Sequence, residues 1–224
     1  MIVGNGMIAT EFSLNSETYL DYIIFASGIS NSNETDKNKF NHEKELLLKT
    51  IKENRNLKLI YFSCVLAETI KNKYYNAKLE IENLIKREAS NYIIFRLPQI
   101  IGQNGNPSNL ANYLKYSILN NLEIIIYDGV ERALVDVEDL VMVVNYCKDK
   151  ISCETLNFSG VEKLKVITIC NLIGKTIDKE PILKIVNNIG DNDWNIKNSD
   201  IISEAINNIN FNGYTERVIK KYIK

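Results

Sequence analysis

The chain is poor in the residues that most often carry metal and nucleophile chemistry. His42 is the only histidine in 224 residues, which argues against a histidine-based triad or a multi-histidine metal centre. It sits in a polar stretch and reads as solvated, and no metal is expected. The four cysteines, Cys64, Cys147, Cys153 and Cys170, follow no zinc-ligand spacing and give no sign of an oxidising compartment. They read as small core residues. A surplus of one charge is missing as well. A net charge of −1 gives no electrostatic handle on nucleic acid or an anionic membrane, and neither is expected as a partner. No apolar run is long enough to span a bilayer. Met1 to Gly4 is too short and uncharged for a secretory signal, so a cytoplasmic protein is expected. Internal repeats, low-complexity linkers and a clear domain boundary are also absent.

What is there is ordinary globular material, 45% hydrophobic and 25% charged, in a length that suits one domain with a sizeable core. Apolar runs alternate with helical patterns. Ile2-Val3 leads into Gly4-Asn5-Gly6-Met7-Ile8-Ala9. Tyr22 to Ala26 is a continuous apolar run that stops at Ser27-Gly28, as a buried parallel strand does. A helix is predicted over Phe40 to Ile51, a strand over Leu57 to Phe62, and a helix through Tyr74, Ala77, Ile81, Leu84 and Ile85. Tyr92 to Leu97 is a further strand, stopped by Pro98. Beyond it come a loop over Asn104 to Pro107, a helix over Leu110 to Leu119, and short strands at Ile124 to Tyr127 and Ala133 to Val137. A helix over Glu138 to Tyr146 follows, then weaker strands at Leu156 to Phe158 and Ile182 to Val186 with a helix between them. The tail from Ser199 reads as one or two short helices. Alternating β and α elements predict an α/β fold with a parallel sheet flanked by helices. Ligands bind beyond the carboxyl ends of such strands, where Gly4, Gly6, Ala26, Ser27, Gly28, Ser63 and Pro98 fall.

Several of these residues have chemistry to offer. Gly4-x-Gly6-x-x-Ala9 follows a strand and opens a helix, so its backbone can approach a pyrophosphate. The small residues Ala26-Ser27-Gly28 let a cofactor lie across a strand end. Tyr74 and Lys78 are four apart on one helical face. An ammonium beside a phenol favours phenolate, so a lowered tyrosine pKa and proton transfer near neutral pH are expected. Tyr75 is an alternative, but only Tyr74 has the four-residue spacing to Lys78. Ser63, eleven residues before Tyr74, offers a hydroxyl at the preceding strand end.

The ordered set of a Gly-rich turn at Gly4, Ala26-Ser27-Gly28, Ser63, Tyr74-x-x-x-Lys78, Arg96-Leu97-Pro98 and Val135-Asp136-Val137-Glu138-Asp139 resembles the extended short-chain dehydrogenase/reductases, the NAD-dependent epimerase/dehydratase family of nucleotide-sugar enzymes. The resemblance runs from Met1 to about Asn157. It implies a Rossmann-like core over residues 1–155 and a dependent C-terminal substrate-side lobe over 156–224. It implies an NAD or NADP cofactor and a cytoplasmic ketoreductase or epimerase acting on a nucleotide-linked sugar, of the kind used in polysaccharide biosynthesis, with a homodimer possible by analogy. Tyr74 would be the acid/base. Lys78 would lower its pKa and hold the nicotinamide ribose, and Ser63 would orient the substrate. Asn41 matches an asparagine of the preceding helix. Gly4, Gly6, Met7, Ile8, Ala26, Ser27, Gly28, Pro98 and Ile100 would border the cofactor, and Asn104, Asn109 and Arg132 the substrate. No dehydratase-type acid pair follows Ser63, which favours reductase or epimerase.

The departures from the family pattern are equally specific. About a dozen residues separate Ala9 from Ile23, where the family usually has two more strand–helix units. Their strands form one edge of a sheet ordered 3-2-1-4-5-6-7, so strands 2 and 3 can be lost without breaking it. With them goes the acidic residue that binds the adenosine ribose. If the functional hydroxyl belongs one place after Ser63, it falls on Cys64. The shortened half motivates a second expectation, a non-catalytic dinucleotide sensor or interaction module on the same scaffold.

Overall fold

A computed structural model describes residues 1–187 and 195–224. A parallel sheet of five strands lies at its centre, in the order β1-β2-β3-β4-β9. They are β1 (Ile2–Val3), β2 (Tyr22–Phe25), β3 (Lys58–Cys64), β4 (Tyr92–Leu97) and β9 (Glu154–Asn157). The register runs Val3 to Phe25, Phe25 to Tyr61, Ser63 to Arg96 and Arg96 to Asn157. Between β1 and β2 the chain forms only α1 (Met7–Ser13) and a 3₁₀ turn. The two extra strand–helix units are therefore absent, and β1 pairs directly with β2, as the deletion requires.

Helices cover both faces of the sheet, which explains why its strands read as unbroken apolar runs. On one face Ile23, Phe25, Leu59, Tyr61 and Ile94 pack against α2 (Lys37–Glu53) and α3 (Lys73–Glu88). On the other, Ile24, Ile60, Phe62, Ile93 and Phe95 meet α1, α5 (Val137–Cys147) and α7 (Asp200–Ile206). Successive side chains of one strand alternate between the two cores. Side-chain caps define the helix starts. Asp36, Asn72, Asn109 and Asp136 each accept a hydrogen bond from a backbone N–H in the first turn of α2, α3, α4 (Leu110–Leu119) and α5. Asp36 starts α2 three residues ahead of the predicted Phe40.

A further core belongs to the C-terminal lobe. It gathers α4, β6 (Glu123–Tyr127), α6 (Val166–Thr176), β11 (Ile182–Val186) and α8 (Tyr214–Tyr222). Its members come from both sides of residue 155, since Leu114, Ile124 and Ile126 pack with Ile169, Ile173 and Val218. Two parallel pairs, β5 (Gln99–Ile101) with β8 (Leu134–Asp136) and β6 with β11, tie the lobe together. The antiparallel pair of β7 (Glu131–Arg132) with β10 (Leu164–Lys165) adds a third link. Among the described residues, no helix is long and apolar enough to cross a membrane, and no three His, Cys, Asp or Glu side chains are grouped to hold a metal ion.

Candidate active site

The carboxyl ends of β1, β2 and β3 meet α2 and α3 at one place. Gly4 has φ +127°, and an added Cβ would stand 2.5 Å from the Ala26 carbonyl oxygen. The Gly-rich turn is thus pressed onto the end of β2 and tolerates no side chain there. Gly6 caps α1 with nothing within 4 Å of an added Cβ. Met7 and Ile8 lean on the core beside α1. The Met7 sulfur lies under Gly102 and Gly105, and Asn106 Nδ2 donates to Ser30 Oγ at 2.8 Å, joining the loop after β5 to the loop after β2.

At the end of β2 a buried ionic cluster forms. Lys78 Nζ donates to Glu43 Oε1 at 3.1 Å and to the Tyr61 hydroxyl at 3.0 Å. Tyr61 OH donates to the same carboxylate oxygen at 2.7 Å. The other oxygen, Oε2, accepts from the Ile29 N–H at 2.9 Å. Glu43 and Lys78 are each 4% exposed. Gly28 lies directly against them, and an added Cβ would be 2.7 Å from Lys78 Nζ and 2.9 Å from Glu43 Oε1.

This arrangement overturns the expected electrostatics of Tyr74. Its ring centroid is 5.8 Å from Lys78 Nζ, but the ammonium is engaged by Glu43 on the side of β2. Burial, then the neighbouring Cys64, Tyr75 and Glu43, push the Tyr74 phenol well above its ordinary value. The spacing was right about proximity and wrong about sign, because burial disfavours the phenolate first, and Cys64, Tyr75 and Glu43 add to it. Tyr75, edge-on to Tyr74 with ring centroids 5.1 Å apart, is raised to about 12, chiefly by burial and then by Cys64, with Arg132 opposing.

Ser63 is placed elsewhere than expected. Its Oγ donates to Glu82 Oε1 at 2.6 Å, and Glu82 also accepts from Arg96 Nε and Nη2. Ser63 and Arg96 are cross-strand partners, so their side chains share the sheet face that α3 covers. The hydroxyl is committed to a buried ion-pair network. Cys64, one place later, packs with Tyr74, Tyr75 and Leu66, and burial raises its thiol. Of the two neighbours, Cys64 rather than Ser63 packs beside Tyr74.

The remaining sequence-predicted residues divide. Asn41 is exposed on α2 and lines a shallow depression with Glu43, Tyr74 and Lys78. Ala26, Ser27 and Pro98 lie at strand ends, half-buried. Ile100 packs into the core. Asn109 caps α4 by accepting from the Asn112 N–H at 3.0 Å. Asn104 is exposed with φ +56°. Arg132 faces Cys64 and Tyr75, and burial lowers its guanidinium to about 10. Glu43 and Glu82 were missed, yet Glu43 left a signal. It falls at 43 in the stripe 43, 47, 50, 51 that α2 buries, a charged residue at an apolar position of helical spacing.

No family profile matches the chain and no curated protein matches it in sequence. Solved structures do match. The dTDP-glucose 4,6-dehydratase of Bacillus anthracis str. Ames, in complex with NAD, superposes with a TM-score of 0.67 at 15% identity, covering 96% of this chain and 78% of that one. The UDP-glucuronic acid 4-epimerase of Bacillus cereus, with UDP-glucuronic acid and NAD, gives 0.68 at 17%, covering 95% and 77%. RMD of Pseudomonas aeruginosa, complexed with NADPH, gives 0.70 at 15%, covering 90% and 80%. The chain shares the fold of these three structures. Within that fold the present residues suit part of a dinucleotide. The tight turn at Gly4 and the open space at Gly6 suit a pyrophosphate. The strand to which the resemblance assigns the acidic partner of the adenosine ribose is absent between α1 and β2.

Proposed function

We propose that the chain is an oxidoreductase that works with a nicotinamide dinucleotide on a nucleotide-linked sugar, as a ketoreductase or an epimerase. The observation that carries this reading is the convergence of Tyr74, Lys78 and Gly28 at the carboxyl end of the sheet, in a fold shared with two NAD-bound nucleotide-sugar enzymes and an NADPH-bound protein. A bound nicotinamide would supply or accept the hydride. Tyr74 would exchange the proton at the sugar oxygen. Lys78, held under Gly28, would meet the ribose, and Cys64 would line the sugar pocket beside Tyr74. Arg132, facing the same pocket from β7, would attract the anionic part of the substrate.

Isothermal titration with NAD(H) and NADP(H), followed by hydride-transfer assays on nucleotide-linked keto-sugars, tests the reading. Binding together with turnover that Tyr74→Phe abolishes supports it. No binding of either dinucleotide at millimolar concentration removes it.

A second reading is favoured by a specific observation. Lys78 is already neutralised by Glu43, and Ser63 is already committed to Glu82. A scaffold that binds a dinucleotide without turning it over would retain the cleft while spending its catalytic groups on internal contacts. Dinucleotide binding with no hydride transfer to any keto-sugar separates this reading from the first.

A further inference from the structure

Glu43 is a buried carboxylate aimed at a group that proton transfer needs. It reaches Lys78 from α2, while Tyr74 lies on the same α3 face as Lys78, one turn away. Its second oxygen holds the Ile29 N–H, so the carboxylate is fixed from two sides and the ammonium is drawn to the β2 end. Two of the three Lys78 N–H donors go to Glu43 and Tyr61.

We propose that Glu43 is the positioning residue that makes the Tyr74–Lys78 pair a proton donor: by binding the ammonium at the end of β2, it leaves Tyr74 a phenol and biases the site toward carbonyl reduction. The inference rests on the hydride-transfer reading given above. In the reduction, the carbonyl carbon takes a hydride from a reduced nicotinamide dinucleotide, which is oxidised. The carbonyl oxygen takes the proton from Tyr74 Oη as its π pair becomes the new O–H bond, and solvent returns a proton to the phenolate. The reverse reaction needs that phenolate at the start, and Glu43 opposes its formation.

The groups that set the charge of Tyr74 come from each surrounding element. Burial acts first, and beside it stand Cys64 at the end of β3, Tyr75 and Lys78 on α3, and Glu43 on α2, with exposed Lys44 and Glu80 at the rim. Tyr61, bonded to both Glu43 and Lys78, is the other phenol that a change at Glu43 affects. The share of Tyr74 is therefore read by difference against Tyr74→Phe in each background.

The test uses the unliganded full chain. Ultraviolet titration of wild type, Tyr74→Phe, Glu43→Gln and the double variant is expected to show Tyr74 silent up to about pH 10 with Glu43 present. Its midpoint should fall by at least about one unit without it. An unchanged midpoint in folded Glu43→Gln overturns the proposal. A second measurement needs no change at Glu43. In ¹³Cζ-tyrosine-labelled wild type, the Tyr74 resonance, assigned by its loss in Tyr74→Phe, keeps its phenol shift from about pH 6 to about pH 10. A phenolate shift within that range overturns the proposal even if Glu43→Gln does not fold. Because neither measurement involves a dinucleotide, failure here is distinct from failure of the proposed function.

Discussion

Gly28 lies where the Lys78 ammonium needs room: an added Cβ would stand 2.7 Å from Nζ. The sequence gives this glycine the look of a strand-end residue that admits a ligand. The structure gives it a second duty, packing against a buried ion pair. Gly28→Ala has to displace Lys78 or Glu43, so it is expected to cost about 1–3 kcal/mol of stability by overpacking. Urea unfolding of the variant measures this, and a stability equal to wild type would mean that the ion pair moves freely.

Gly6 makes the opposite forecast. Its φ of −80° suits any residue, and nothing lies within 4 Å of an added Cβ. Gly6→Ala is expected to change stability by no more than about 1 kcal/mol, the scale of an N-cap substitution, while weakening dinucleotide binding by crowding the phosphate position. Calorimetric titration beside thermal melting separates the two effects.

Arg96 has two carboxylate partners of unequal burial. Glu82 is 1% exposed, whereas the Glu68 side chain is 67% exposed. Removing the buried charge by Glu82→Gln leaves Arg96 without its enclosed counter-ion and is expected to cost about 3–5 kcal/mol. Glu68→Ala is expected to cost about 1 kcal/mol or less, because solvent screens that pair. Chemical denaturation of both variants checks the contrast, and equal losses would contradict the assigned burial.

Asp139 gives a pH prediction. Burial raises its carboxyl above the ordinary value of 3.8, with the Tyr214 hydrogen bond opposing. A raised folded value favours folding below the unfolded value, and that contribution is lost as pH rises through the folded value. Asp139→Asn removes the titration, and its amide oxygen can still accept the bond that Tyr214 OH makes at 2.5 Å. The variant is therefore expected to match wild type at the acid end and to melt higher once the pH exceeds the folded value. Melting curves from about pH 4 to about pH 7 test the sign.

Cysteine labelling tests the placement of the thiols. Cys153 is exposed, while Cys147 and Cys170 are buried, and burial raises both of the latter to about 11. Cys64 is half-buried with a raised thiol. Iodoacetamide at neutral pH is expected to modify Cys153 first, Cys64 more slowly, and Cys147 and Cys170 only on unfolding. Peptide mass spectrometry reads the order directly.

Much of the fold was legible because period and composition agree. The runs at Tyr22 to Ala26 and Tyr92 to Leu97 were read as buried parallel strands because both of their faces are apolar, and both faces are covered. The spacing of Tyr74 and Lys78 placed them together correctly. The rise of the Tyr74 phenol was not legible, since it comes first from burial and then from Cys64, Tyr75 and Glu43, which only the fold brings around it. Ser63 and Cys64 could not be ranked from the chain either. Adjacent strand residues face opposite sides of a sheet, and only the position of Glu82 on α3 decides which side is already occupied. The extra units missing after Ala9 were read by counting residues, a signal that survives where side-chain patterns fade.

The loss of those units also bears on solubility. Removing strands from the rim of a parallel sheet ordinarily uncovers a full-length edge, an invitation to strand addition and aggregation. Here the rim strand β1 is only two residues long before Gly4 turns the chain away. With Gly4 at φ +127° and α1 starting at Met7, that edge cannot run on past Val3 to template another strand.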